Sequence, residues 1–201
     1  MAVSFIGESA FSPTTATIPA HQVGDLILAF AVRVSDATVP EIPAGWTTVR
    51  VNGANTLGAV VAYKFATTTS ETSGTWTSEY LMVQVYRGVG SVGASSTGSG
   101  TTSSTISYPA LTLQIADGTS WAVRFAAHRS ATNLNSGTPG GYTPRSSTSR
   151  SRGLDSNGGL STNPTVATQT VNTTNTWRAY TVELRTGTVP TTNTTRFFQF
   201  F

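Results

Sequence analysis

Catalysis by side chains usually depends on histidine, cysteine or paired carboxylates, and this chain has few of them. It contains two histidines, His21 and His128, and no cysteine. A hydrolytic triad would combine His128 with a serine and a carboxylate, but no Gly-x-Ser-x-Gly motif marks a nucleophile. Two separated histidines without cysteine do not make a zinc site. The sequence therefore indicates neither nucleophilic nor zinc-dependent catalysis.

The carboxylates are the remaining candidates for acid–base chemistry, such as the pair used by a glycoside hydrolase. The nine acids are Glu8, Asp25, Asp36, Glu41, Glu71, Glu79, Asp117, Asp155 and Glu183. Most lie at predicted turns, and Asp25 and Asp117 each stand beside a glycine, which favours turn capping. "DSNGG", residues 155–159, lacks the later glutamate of a calcium loop. We expect a binding or structural protein without catalytic residues, metal or cofactor.

Arginine dominates the positive charge, with eleven arginines against one lysine. Its rigid guanidinium suits carboxylates, phosphates and aromatic rings. The densest run is "RSSTSRSR", which holds Arg145, Arg150 and Arg152. Because serine and threonine separate these arginines, we expect a solvated loop or a surface for an acidic protein partner rather than for nucleic acid.

Two similar corners precede predicted strands, "PAGWTTVR" with Trp46 and "PGGYTPR" with Tyr142. Proline restricts φ, glycine permits a positive φ, and the aromatic ring then packs on the core. The alternative is that both rings are exposed platforms for stacking sugars. Trp46 and Tyr142, with the three arginines above, are our candidate partner or glycan surface.

The elements that must position these residues are strands, since no window has a sustained helical period. "EYLMVQVYR" alternates like a strand with one buried face, whereas "LILAFAV" indicates a central strand covered on both sides. The predicted strands are Val3–Ile6, Ala16–Ile18, Asp25–Val34, Thr47–Val51, Gly58–Phe65, Tyr80–Arg87, Thr105–Tyr108, Leu111–Ile115, Trp121–His128, Thr165–Val171 and Arg178–Leu184. The predicted fold is an all-β antiparallel sandwich or jelly roll.

Three motifs recur in the same order, which predicts pseudo-duplicated halves at about 24–89 and 118–187. "GDLILAFAVR" is echoed by "GTSWAVRFAAHR", "PAGWTTVR" by "PGGYTPR", and "WTSEYLMVQVYRGV" by "WRAYTVELRTG". Between them lies a Gly/Ser/Thr segment, 88–105, which composition favours as a flexible linker or a long surface crossover. We expect one sandwich domain over 1–187, followed by an extended C-terminal arm over 188–201.

The sequence also bears on where the protein works. Charged residues make up 10% of the chain, well below the roughly 25% of ordinary soluble domains, which suits an extracellular or particle-surface protein. The N-terminus lacks the basic region of a secretory signal. No apolar stretch approaches the roughly 20 residues of a membrane span, so we expect no membrane insertion.

The combination "IPAHQVGDLILAFAVR…IPAGWTTV", with the later "WRAYTVELR", resembles a group of tailed-phage virion proteins and prophage-encoded structural proteins. That resemblance covers about 1–187 and implies a β-sandwich carried on a virus particle, assembled in the host cytoplasm. It transfers no catalytic residue. The expected partners are major capsid or tail subunits and further copies of the chain.

The last ten residues, "TNTTRFFQFF", bear on function through their aromatic content. Arg196, Phe197, Phe198, Phe200 and Phe201 follow a Thr/Asn spacer and would form an exposed apolar patch unless a partner covers them. We expect a non-enzymatic capsid decoration or tail-associated subunit that docks through this arm. Two alternatives are that the arm folds back on its own sandwich, and that the protein binds a host glycan.

Overall fold

The computed structural model describes residues 1–187, and β-strands supply the regular structure of this part of the chain. The first half contains β1 (Ser4–Glu8), β2 (Leu26–Arg33), β3 (Thr47–Ala54), β4 (Leu57–Phe65) and β5 (Tyr80–Arg87). The second half contains β6 (Val89–Tyr108), β7 (Trp121–His128), β8 (Thr143–Ser147), β9 (Ser151–Asp155) and β10 (Ala167–Thr186).

The ten strands form two antiparallel sheets of five, so the predicted all-β sandwich is confirmed. Sheet A has the order β1-β5-β2-β4-β3, and sheet B has the order β6-β10-β7-β9-β8. Adding five to each label of the first order gives the second. The duplication predicted from the paired motifs is therefore present as a repeated strand order, with each half of the chain supplying one whole sheet.

The two sheets pack face to face through one hydrophobic core. Phe30 of β2 stacks on Phe125 of β7 with ring centroids 5.1 Å apart, and Tyr180 of β10 meets Phe30 edge-on at 5.8 Å. The Tyr180 hydroxyl donates a hydrogen bond across the sandwich to the carbonyl of Ala59 at 3.1 Å. Aromatic pairs of this kind add to the stabilisation gained from burying their area.

The outer face of each sheet is buried as well, which explains the unbroken apolar runs. Ile27, Ala29 and Ala31 lie on the outer face of β2, in one cluster with Trp76 from the segment between β4 and β5. On sheet B, Trp177 lies in a cluster with residues of the loop after β7. The prediction that "LILAFAV" is a central strand covered on both sides is confirmed.

The Gly/Ser/Thr segment 88–105 is neither a linker nor a crossover loop, so that expectation is wrong. It forms most of β6, a strand of 20 residues that pairs antiparallel with β10. A Cβ on Gly100 would lie 2.3 Å from Trp177 Nε1, and a Cβ on Gly93 would lie 2.3 Å from Glu183 Oε2. These glycines allow β10 side chains to approach the backbone of β6 closely.

Two predicted strands, Ala16–Ile18 and Leu111–Ile115, are not strands in the structure. Their amides bond outside the sheets: Ala16 N donates to Ser73 Oγ at 2.9 Å, and Leu111 N donates to the carbonyl of Pro164 at 3.0 Å. Apolar content alone predicted them, because residues that pack against a sheet from outside resemble residues within one.

The arginine-rich run 145–152, expected as a loop, instead supplies parts of β8 and β9 and the turn between them. The segments predicted as Thr165–Val171 and Arg178–Leu184 belong to the single strand β10, whose register with β6 breaks between Thr170 and Trp177.

Within residues 1–187, no helix is long and apolar enough to cross a bilayer.

Candidate interaction surfaces

Trp46 lies at the corner before β3, where its ring packs on the outer face of sheet A. The ring meets Trp76 edge-on with centroids 5.3 Å apart, and Lys64 Nζ lies 5.2 Å from its centroid. Its Nε1 donates to the carbonyl of Ser73 at 3.1 Å. Lys64 and Trp76 thus already contact the half-buried indole, which gives Trp46 a packing role at this corner.

Tyr142 occupies the corresponding corner before β8 and has a similar neighbour. The Arg124 guanidinium carbon lies 4.1 Å from the centre of the tyrosine ring. Burial raises the pKa of the Tyr142 phenol, and the neighbouring Arg124 only partly offsets that rise. The Tyr142 ring belongs to the apolar cluster on the outer face of sheet B, so it is a packing residue rather than an open platform.

The three candidate arginines have three different environments. Arg145 binds Asp155 through two hydrogen bonds of 2.7 and 2.9 Å, and its guanidinium lies 4.2 Å from the ring centre of Phe5. It therefore ties β8 to both β9 and the N-terminal strand. Arg150 is half-buried in an open cleft between the sheets.

Arg152 is 2% exposed, so its expected place on a partner or glycan surface is wrong. Its guanidinium donates to the carbonyls of Leu134 (3.0 Å), Ser136 (3.2 Å) and Gly137, and to Thr138 Oγ1 at 2.8 Å. The β7–β9 register places Arg152 opposite Ala126 on the outer face of sheet B, beneath the loop formed by residues 134–138. It fastens that loop to the sheet.

Three buried carboxylates are saturated with internal donors. Asp25 binds Arg87 through two bonds of 2.9 and 2.8 Å and also accepts the amide of Gln22 at 2.8 Å. Burial alone would raise the pKa of Asp25, but these donors outweigh it and the pKa is lowered. Asp155 accepts the Tyr86 hydroxyl at 3.0 Å in addition to Arg145.

Glu183 is the most completely enclosed of the three. It is fully buried and accepts hydrogen bonds from Ala94 N (2.9 Å), Gln114 N (3.0 Å), Ile115 N (3.1 Å) and Ser120 Oγ (3.0 Å). Burial would raise the pKa of its carboxyl, yet the four donors lower the pKa overall. Glu183 thereby connects β10 to β6 and to the segment before β7, which is a structural task.

A mainly apolar cleft of about 410 Å³ lies where the described chain ends. Its walls include Met1, Val3, Trp121, Gly159 and Gly187. Met1 is 90% exposed, whereas Val3 and Trp121 are nearly buried at the base of the cleft. The C-terminal arm of residues 188–201, with Arg196, Phe197, Phe198, Phe200 and Phe201, lies outside the described residues and begins directly after Gly187.

A polar cleft of about 390 Å³ lies at the opposite end of the sandwich, between the two sheets. Sheet B contributes Arg129 and Arg150, and the sheet A side contributes Ser35 and Glu79. Glu79 Oε1 accepts hydrogen bonds from the amide (3.2 Å) and the hydroxyl of Ser35. Arg129 Nε donates weakly to the carbonyl of Val34 at 3.3 Å. Two cationic side chains and one hydrogen-bonded carboxylate thus line the same cleft.

Residues 1–187 contain no group of three His, Asp or Glu side chains placed to hold a metal ion. The chain matches no protein-family model, no curated protein and no solved structure. The resemblance to phage virion proteins therefore rests on sequence patterns, and the residues that carry it occupy structural positions. Asp25 caps the turn before β2, and Trp46 fills the corner before β3.

Proposed function

We propose that this chain is a non-enzymatic structural subunit of a tailed-phage virion, a capsid decoration or tail-associated protein that docks on neighbouring subunits through its C-terminal arm. The observation that carries the proposal is that the repeated strand order is complete within residues 1–187. Five strands in each sheet follow the same order, and β10 occupies in sheet B the position that β5 occupies in sheet A. The repeated strand order therefore does not require residues 188–201.

The end of β10 also favours an arm that leaves the sandwich. Gly187 N donates to the carbonyl of Gly88 at 3.2 Å, which closes the ladder between β10 and the start of β6. Gly187 has a φ of 153°, which glycine tolerates better than other residues. The apolar cleft beside it gives a neighbouring subunit's arm, or this one, a surface of matching chemistry.

The energetics suit many weak contacts rather than one strong contact. Burying four phenylalanine side chains is worth about 6–12 kcal/mol gross. Ordering the last six residues costs about 1–2 kcal/mol each. The two contributions are of equal size, so a single arm binds weakly by itself, and attachment becomes strong only when many linked copies bind together.

The test compares virions made with three versions of the chain: the natural sequence, a variant with Phe197, Phe198, Phe200 and Phe201 changed to serine, and the control Gln199→Ser. Particles are purified by density gradient, and the copies of the chain per particle are counted by quantitative mass spectrometry. We expect natural and control chains on the particle, and at least tenfold fewer copies of the four-serine variant.

Two results would contradict the proposal, and they differ. If the natural chain is absent from purified particles, the virion assignment is wrong. If the four-serine variant is present in normal copy number, the assignment stands but the arm is not the docking element. Circular dichroism of each purified variant establishes that the sandwich has folded.

A host-glycan module is the second candidate, and the polar cleft favours it. Its volume lies within the usual range of small-molecule sites, and Arg129 and Arg150 suit a sugar carboxylate while Glu79 can accept from hydroxyls. A glycan array probed with the natural chain and with Arg150→Ala tests this candidate. Binding to acidic glycans that the substitution removes supports it, whereas an array without binding removes it.

A further inference from the structure

Within residues 1–187 the sandwich has four edge strands, and three of them carry features that discourage pairing with another chain. Strand β1 is five residues long, breaks register and contains Glu8; β8 is five residues long and contains Pro144; β3 breaks register beside Arg50. Short length, proline, charge and bulges are the usual protections of an edge. Strand β6 has 20 residues with neither proline nor charge, and between its own register breaks it pairs without interruption from Ser95 to Gly100.

The hydrogen bonds of sheet B show which β6 residues face outward. Arg129 N donates to the carbonyl of Thr176 at 2.9 Å, so even-numbered β10 residues direct their backbone groups toward β7. Odd-numbered β10 residues then bond to β6, where Trp177 lies opposite Gly100 and Ala179 opposite Gly98. Because backbone directions alternate along a strand, Thr97 and Ser99, which lie within the unbroken register, point their N–H and C=O groups away from β10.

Side-chain contacts mark the limits of the open edge. The carbonyl of Ser95 accepts Arg50 Nη2 at 2.7 Å, so Ser95 faces outward but is already bound. At the other end the register breaks between Gly100 and Ser103, and the Ser103 carbonyl points inward to bond His128 Nε2 at 3.2 Å. Between these ends, Thr97 and Ser99 are exposed. Among residues 1–187, no hydrogen-bond partner occupies their outward backbone groups.

We propose that this window, Thr97–Ser99, is a homotypic interface at which β6 of a second copy pairs antiparallel. With Gly98 on the twofold axis, Thr97 of each copy meets Ser99 of the other. About four backbone hydrogen bonds would then join the two B sheets into one ten-stranded sheet.

A second copy is the occupant that the charge distribution favours. In a twofold contact each residue near the axis meets its own copy, so any charge there would face a like charge. β6 has no charged residue, and the nearest charge, Arg50, is tied to Ser95 of its own subunit. On the adjacent edge, Val51 is 52% exposed and would gain apolar contact from a neighbour. The inference does not depend on the C-terminal arm.

Proline at position 99 tests the interface without disturbing the fold. Ser99 donates no ladder bond to β10, so Ser99→Pro removes only an outward N–H, a position at which edge strands tolerate proline. Ser99→Ala is the matched control, because it keeps the N–H. Both full-length variants are compared with the natural chain by sedimentation velocity over a concentration series.

We expect the natural chain and Ser99→Ala to dimerise with the same Kd, and Ser99→Pro to dimerise at least tenfold more weakly. The full-length four-serine arm variant should still dimerise. Hydrogen exchange at the amides of Thr97 and Ser99 in the natural chain should slow as the concentration rises through the Kd. This readout does not depend on whether the proline variant folds.

The interface proposal is overturned if the natural chain stays monomeric, if Ser99→Pro leaves the Kd unchanged, or if exchange at Thr97 and Ser99 does not respond to concentration. Loss of the dimer in the four-serine variant alone would assign self-association to the arm. None of these outcomes bears on whether the chain is found on virions, so this proposal and the proposed function fail separately.

Discussion

Replacing Gly100 with alanine tests whether the Gly/Ser/Thr segment 88–105 is a packed strand. In the structure the indole of Trp177 lies against the Gly100 backbone, and an added Cβ would lie 2.3 Å from Nε1 and 2.7 Å from Cε2. Either the indole or the strand must move. If the segment were a flexible linker, the same change would meet nothing and would slightly stabilise the fold.

The expected size of the effect combines two opposing contributions. Overpacking a filled site costs about 1–3 kcal/mol, while replacing glycine with alanine stabilises by about 0.4–1 kcal/mol through the unfolded chain. The net expectation for Gly100→Ala is a loss of about 1–2 kcal/mol. Gly140→Ala is the matched control, because a Cβ at Gly140 would have nothing within 4 Å. It should be neutral or slightly stabilising.

The assay is thermal unfolding of both variants, followed by circular dichroism and tryptophan fluorescence. A difference of about 2 kcal/mol corresponds to about 4–8 °C in Tm for a domain of this size. In a Trp177→Leu background the contact is gone, so Gly100→Ala should lose most of its cost there. Melting of the two single variants within 1 °C of each other would refute the strand's close packing against Trp177.

Three further predictions concern buried polar groups. Glu183→Gln should lower the free energy of unfolding, measured in urea, by about 2 kcal/mol or more, because it leaves buried amide donors without their carboxylate. The folded pKa of Glu183 lies below its ordinary value of 4.5. The natural protein should therefore lose the stabilisation from this carboxylate as the pH falls below 4.5, and Glu183→Gln should lose less. Burial lowers the pKa of His128 from its ordinary 6.5. At pH values below 6.5 the free energy of unfolding should therefore decrease by up to about 1.4 kcal/mol per pH unit. His128→Asn should flatten this pH dependence, and an unchanged slope would contradict the prediction. Arg152→Met should lower the free energy of unfolding by about 2–4 kcal/mol through its lost hydrogen bonds, whereas Arg150→Met should change it by no more than about 0.5 kcal/mol. Equal urea midpoints for the two variants would contradict the buried position of Arg152.

The strands that could be predicted are those whose identifying sequence pattern lies within a few neighbouring residues. β2 and β5 were recognised because burial leaves a local apolar pattern. The alternation of β5 predicted one buried face, and this is wrong, because Leu81 and Val83 pack on the outer face while Met82 packs in the core between the sheets. The repeated motifs predicted the duplication for the same reason, since a turn glycine, an apolar strand and a terminal arginine lie close together in each copy.

The elements that were missed depend on residues far along the chain. The sequence of β6 resembles a linker because it is rich in glycine. The reason for Gly100 and Gly93 becomes visible only in the folded sheet, where the side chains of Trp177 and Glu183 lie close to their backbones. β8 and β9 resemble a solvated loop until Arg152 finds the carbonyls of the 134–138 loop.

The candidate surface illustrates the same limit. The sequence placed Trp46 and Tyr142 at corners but left open whether their rings face water or protein. Lys64 and Arg124 decide this in the fold by lying against the rings. Of the five residues in this set, Arg150 lines an open cleft between the sheets, whereas Arg152 is buried.

By itself, the sequence determined the class of fold, its two repeated halves and the small number of residues of the types used in catalysis. These features follow from strand periodicity, turn chemistry and composition, which are properties of short segments of the chain. Only the tertiary structure decided that each half makes one sheet, that the glycine-rich segment is a strand, and which of its backbone groups face away from β10. Those features depend on which strands become neighbours. Strand neighbours are chosen by packing between residues that the sequence separates.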